Sequence, residues 1–256
     1  MPPSDRVLKN LARFGLASRG LVYLLLALVA VKIAAGQTGT AADQRGVFEA
    51  IARQPLGRVL LLAVAAGYGC LAVWEGFNAT REMRGRVRRV AAGAKCIIYL
   101  VLSGSALAVV ASFHLRSENK EVVDVTGRVM LHPGGRLLVG AVGLGLIVGG
   151  ILLARQGVVR AYGGEIDLAS ASPGWRRAVD WAGVVGMAAR GLVAGALGYF
   201  VLDSAVTFDP GHAKGIDGAL RTLVHQPYGP LWLFGVAVGL AAFGTFSLLE
   251  IRFVKP

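Results

Sequence analysis

Six charged residues stand inside or at the edges of otherwise apolar stretches: Arg19, Lys32, Glu75, Arg190, Asp203 and Glu250. In hydrocarbon each such group is costly, so each marks a candidate ion pair, relay or ligand contact. Lys32 follows Arg19, and Asp203 follows Arg190, by 13 positions, or about 20 Å along a helix. Lys32 and Asp203 are therefore expected at equivalent heights, either ion-paired in the interior or snorkelling separately to the outer interface. Glu75 and Glu250 close two apolar stretches at the level where Arg19 and Arg190 open two others. Pairing of Glu75 with Arg19 and of Glu250 with Arg190 is expected, as a structural clamp rather than a catalytic device; Lys95 opens a further stretch.

Other chemistry is sparse. His114, His132, His212 and His225 all fall on one predicted side, near Asp209 and Asp217. None shows the compact spacing of a metal site, and none is expected to hold a metal. Cys70 and Cys96 lie in or beside apolar runs and are expected as free thiols. The chain carries no Walker loop, dinucleotide fingerprint, HExxH or GxSxG. The expectation is a protein that is not an enzyme and uses no cofactor.

The elements that must position these residues are membrane helices. Of 256 residues, 55% are hydrophobic and only 16% charged, against about 25% charged in soluble domains. Six windows reach the roughly 20 apolar residues a span requires: Leu16–Gly36, Gly57–Asn78, Ala94–Leu115, Arg136–Ala154, Ala182–Asp203 and Pro230–Glu250. The net charge of +12 does not indicate nucleic-acid binding, because Lys and Arg gather at the ends of these windows, where they orient membrane helices. Most lie on the side of the two termini, with Arg81–Arg89 (REMRGRVRR) the densest run. Both termini are therefore expected to be cytoplasmic, in a multi-pass membrane protein. The Arg81–Arg89 loop is expected either to anchor orientation or to dock anionic lipid headgroups or a protein partner. Beyond the bilayer no partner is specified, and the oligomeric state is open.

The windows repeat. Odd spans open on a basic residue and a small one: Arg19-Gly20, Lys95-Cys96 and Arg190-Gly191. Even spans are preceded by Gln54-Pro55-Leu56-Gly57, His132-Pro133-Gly134-Gly135 and Gln226-Pro227-Tyr228-Gly229. The basic residue and the proline stand 36, 38 and 37 positions apart, and Gly67, Gly145 and Gly239 each follow a proline by 12. Asp43, Asp124 and Asp217 precede the prolines. Proline suits a first helical turn, where its missing N–H is not needed. Gly145/Gly149 and Gly235/Gly239 are expected to permit close helix contact, and Gln54, His132 and Gln226 either line an outer mouth or satisfy helix-start backbone. The division is 1–15 (basic amino terminus), 16–78 (repeat 1), 79–154 (repeat 2), 155–181 (loop) and 182–256 (repeat 3). The fold class is an all-α integral membrane protein, six transmembrane helices as three two-helix repeats around a pseudo-threefold axis normal to the membrane.

These landmarks resemble the bacterial membrane family described as domain of unknown function 1206, over about Leu11 to Phe253. Repeat two departs from the pattern with Lys95 and His132, and repeat three has Ala194 where the others have Tyr23 and Tyr99. The resemblance implies six spans in the plasma (inner) membrane of a bacterium and assigns no activity. Two functional readings remain: a structural or accessory membrane component, and a small-solute or ion pathway along the pseudo-threefold axis.

Overall fold

The computed structural model describes residues 3–36, 41, 43–80, 86–111, 118–159 and 173–253. The described chain is helical: α1 (Pro3–Ala34), α2 (Gln44–Ala52), α3 (Gly57–Thr80), α4 (Arg86–Val110), α5 (Glu118–Met130), α6 (Gly135–Val158), α7 (Pro173–Thr207), α8 (Ile216–Val224) and α9 (Gly229–Phe253). Six of these, α1, α3, α4, α6, α7 and α9, are long and apolar enough to cross a membrane. Together they make the chain a six-span membrane protein.

The connections within each repeat, which the sequence presents only as loops, contain short helices. Asp43 caps α2 by accepting a 2.6 Å hydrogen bond from the Gly46 amide, and α2 tucks Val47, Phe48 and Ile51 into the bundle. Each short helix leads into the Pro-x-Gly step, which is one turn built three times. The Gly57, Gly135 and Gly229 amides donate to the Gln54, His132 and Gln226 carbonyls at 2.9, 2.9 and 2.8 Å. Proline presets the first turn position, and the next residue is left-handed: Leu56 at φ 64°, Gly134 at 79° and Tyr228 at 60°. The closing glycine is required by closeness. A Cβ at Gly57, Gly135 or Gly229 would come within 2.0, 1.7 or 2.1 Å of the Ile51, Val129 or Val224 carbonyl oxygen. The motif is thus a helix-to-helix corner, and the Gln54, His132 and Gln226 side chains are exposed around it.

The most extensive helix pairings join successive repeats rather than the two helices of one repeat. They are α3 with α4, α6 with α7, and α9 back to α1. Within repeats, α1 packs on α3 and α7 on α9, whereas α4 and α6 make almost no contact among the described residues. Glycine sets the between-repeat distances. A Cβ at Gly150 would lie 2.5 Å from the Gly191 carbonyl oxygen, and one at Gly244 2.9 Å from that of Gly20. The expectation for Gly145, Gly149 and Gly235 is corrected: a Cβ on any of them would meet nothing within 4 Å. On α6 the close face is Gly143, Gly150 and Gly157, at seven-residue spacing, because that stripe faces α7.

Candidate functional site: an arginine and tyrosine cluster inside the bundle

Arg19 lies in the first span and faces α9 and α4. Its Nη2 donates to Glu250 Oε2 at 2.5 Å, its Nε to Ser247 Oγ at 3.0 Å and its Nη1 to the Tyr99 hydroxyl at 3.2 Å. Both charged side chains are nearly buried, at 13% and 12% exposure. The Ser247 hydroxyl in turn donates to the Phe243 carbonyl. Such a fully bonded pair is what an ion pair away from water requires.

Around it stands an aromatic set. Tyr68 on α3 stacks on Tyr99, with ring centroids 6.0 Å apart, and meets Phe48 of α2 edge-on. Tyr23 packs edge-on against Phe243 at 4.7 Å. Arg190 of α7 completes the cluster, with its guanidinium 4.2 Å from the Phe243 ring centre and 5.5 Å from that of Tyr23. Among the described residues no carboxylate reaches Arg190. The Tyr68 hydroxyl is buried without a hydrogen-bond partner.

This arrangement corrects the expected pairing within repeats. Glu250 pairs with Arg19, not Arg190, and Glu75 pairs with Lys95 at 3.3 Å, not with Arg19. The cause is the packing order: an even helix lies most closely on the odd helix of the next repeat, so its acid meets that helix's base. Of the two alternatives for Lys32 and Asp203, the ion pair does not form. Asp203 accepts a 2.8 Å contact from His212, nine residues further on, while Lys32 is exposed. At the same end, Arg136 donates to the Ala205 and Val206 carbonyls that close α7. No three His, Cys, Asp or Glu side chains converge as a metal would require among the described residues. His114 and the side chains from Arg81 to Arg88 lie outside the described residues.

A second feature is a crevice of about 390 Å³ towards the end carrying the short helices. Val129, Val139, Val142 and Val201 line it, and the Arg45–Glu121 ion pair forms part of its wall. Neither Lys32 nor Asp203 borders it.

The family described as domain of unknown function 1206 matches three times, over residues 14–82, 90–160 and 185–253. The chain belongs to this family. Each match takes in one odd and one even span, so the family unit is the two-helix repeat, and the cluster is assembled across all three units. The chain is also similar to a Bacillus subtilis (strain 168) protein described as uncharacterized protein YxxB, 30% identical over 250 residues, covering 95% of this chain and 90% of the relative. No solved structure matches it. The family description and this relative carry no assigned chemistry, so any role for the DUF1206 cluster must be argued from its geometry.

Sequence reasoning singled out Arg19, Arg190 and Glu250 but not Tyr68, Phe243 or Ser247. One signal was available. Ser247 stands 20 residues after Pro227, as Glu75 stands 20 after Pro55, and both meet the base of the next repeat.

Proposed function

We propose that the chain is a structural or accessory component of the bacterial plasma membrane, with both termini cytoplasmic and no enzymatic activity of its own. One observation carries this reading. Where a transport path would cross the bundle, the interior is occupied by the Arg19–Glu250–Ser247–Tyr99 network and its aromatic surround. Glycine contacts at backbone distance bind the helices about it, and all six spans are continuous helices, without the midplane breaks of many transporters. The excess of Lys and Arg on the side of the termini supports the orientation. Its densest run, Arg81–Arg89, fits anionic headgroups or an acidic protein surface.

The competing reading, a solute or ion pathway, draws on the 390 Å³ crevice. Its valine lining fits an apolar guest better than an ion. Purified protein in sealed vesicles loaded with pH- and K⁺-sensitive dyes discriminates the two. The structural reading expects leakage equal to that of protein-free vesicles. Flux that Glu250→Gln alters would replace it with the transport reading.

A further inference from the structure

Two of the three landmark bases have a carboxylate from the preceding repeat: Arg19 has Glu250 and Lys95 has Glu75. The third, Arg190, should find its partner on α6. The α6 positions matching Glu75 and Ser247 on one hand, and Asn78 and Glu250 on the other, are Leu153 and Gln156. Gly191 packs on Gly150 and Ala154, so Leu153 is carried at the level of Arg190. Repeat two thus supplies no acid where the cyclic pattern calls for one, and a guanidinium inside a span without an anion costs several kcal/mol.

The direction of Arg190 adds to this. It lies 11 residues, or three helical turns, before Val201 on the same face of α7, and Val201 borders the crevice. The opposite, lipid-facing side carries Trp181, Leu192 and Tyr199. The interior that Arg190 faces is left open on one side, since α4 and α6 barely touch among the described residues. Tyr68, which stacks on Tyr99 in the same cluster, has a buried hydroxyl with no partner.

We propose that Arg190 is the cationic end of an intramembrane phosphate site, entered from the side between α4 and α6, whose ligand supplies the negative charge that repeat two lacks. The shared chemistry is a phosphate oxyanion, borne by an anionic phospholipid headgroup or by free inorganic phosphate. The guanidinium is the donor suited to it, and the Phe243 and Tyr23 rings flank it with centres at 4.2 and 5.5 Å.

The test installs the missing acid. Full-length protein in phosphatidylcholine nanodiscs is melted while phosphatidylglycerol is titrated in one arm and inorganic phosphate in the other, because a ligand of the folded state raises the midpoint. Wild type and Leu153→Gln should respond alike. Leu153→Glu and Arg190→Gln should each weaken the response at least about tenfold, while every other surface base that attracts headgroups stays in place. A response to phosphatidylglycerol alone identifies the headgroup; a response to inorganic phosphate identifies the free ion. Should Leu153→Glu not fold, Arg190→Gln carries the comparison. Wild type unmoved by both ligands, or Arg190→Gln shifting as wild type does, overturns the proposal.

Discussion

Glu250→Gln tests whether charge pairing runs between repeats. The substitution keeps the side chain's shape and one acceptor but removes the charge facing Arg19. Breaking a buried pair by removing one partner costs about 3–5 kcal/mol. Arg19 would keep Ser247 and Tyr99 as partners, which places the expected loss near the lower end, about 3 kcal/mol. Glu75→Gln offers the internal comparison. Lys95 is 49% exposed, so solvent screens that pair and its loss should cost no more than about 1 kcal/mol. Unfolding of purified protein by sodium dodecyl sulfate in mixed micelles, followed by circular dichroism, resolves this difference. A double-mutant cycle then identifies the partner: Glu250 should couple to Arg19 and not to Arg190. Equal losses for Glu250→Gln and Glu75→Gln, or stronger coupling of Glu250 to Arg190, would refute the reasoning.

Other outcomes follow from packing and local geometry. Gly150→Val sets a side chain against the Gly191 carbonyl and should lower stability by about 2 kcal/mol or more, whereas Gly145→Ala should leave the same unfolding curve in place. Leu56→Gly removes the cost of a left-handed non-glycine residue and should raise stability by up to about 1 kcal/mol; Gly57→Ala, whose Cβ would stand 2.0 Å from the Ile51 carbonyl oxygen, should lower it. Asp203→Asn loses a partly exposed contact to His212, so its melting midpoint should change by the equivalent of less than about 1 kcal/mol, and Lys32→Gln should match wild type.

The six spans were legible because a bilayer demands about 20 apolar residues of each, and the windows met that demand at their cores. The Pro-x-Gly corner was legible as a recurring landmark, but its left-handed middle residue was hidden, since Leu56 and Tyr228 do not advertise φ > 0 as Gly134 does. Partner choice was not legible. Spacing within a repeat places Glu75 near the height of both Arg19 and Lys95, and only the packing of α3 on α4 decides between them. The glycine face of α6 was misread for a similar reason: the four-residue spacing of Gly145 and Gly149 is as regular as the seven-residue spacing of Gly143, Gly150 and Gly157, and the partner helix selects the second.

Repeat two is where the three copies part. Its bases keep to the pattern, with Lys95 paired to Glu75, but its even helix carries neither an acid nor an aromatic residue into the cluster. Instead α6 gives its glycine face to α7 and withdraws from α4. Repeats one and three contribute most of the network that fills the interior, through Arg19, Tyr68, Phe243, Ser247 and Glu250, and repeat two adds Tyr99 from its odd helix. A bundle of three equal copies would satisfy each base internally and close every side. Divergence of one copy leaves a base, Arg190, without an acid and a side, between α4 and α6, without close helix contact among the described residues. Under the proposed phosphate site, substitutions on α6 at the level of Arg190 should therefore alter binding, while Glu250→Gln on α9 and Glu75→Gln on α3 should alter stability alone.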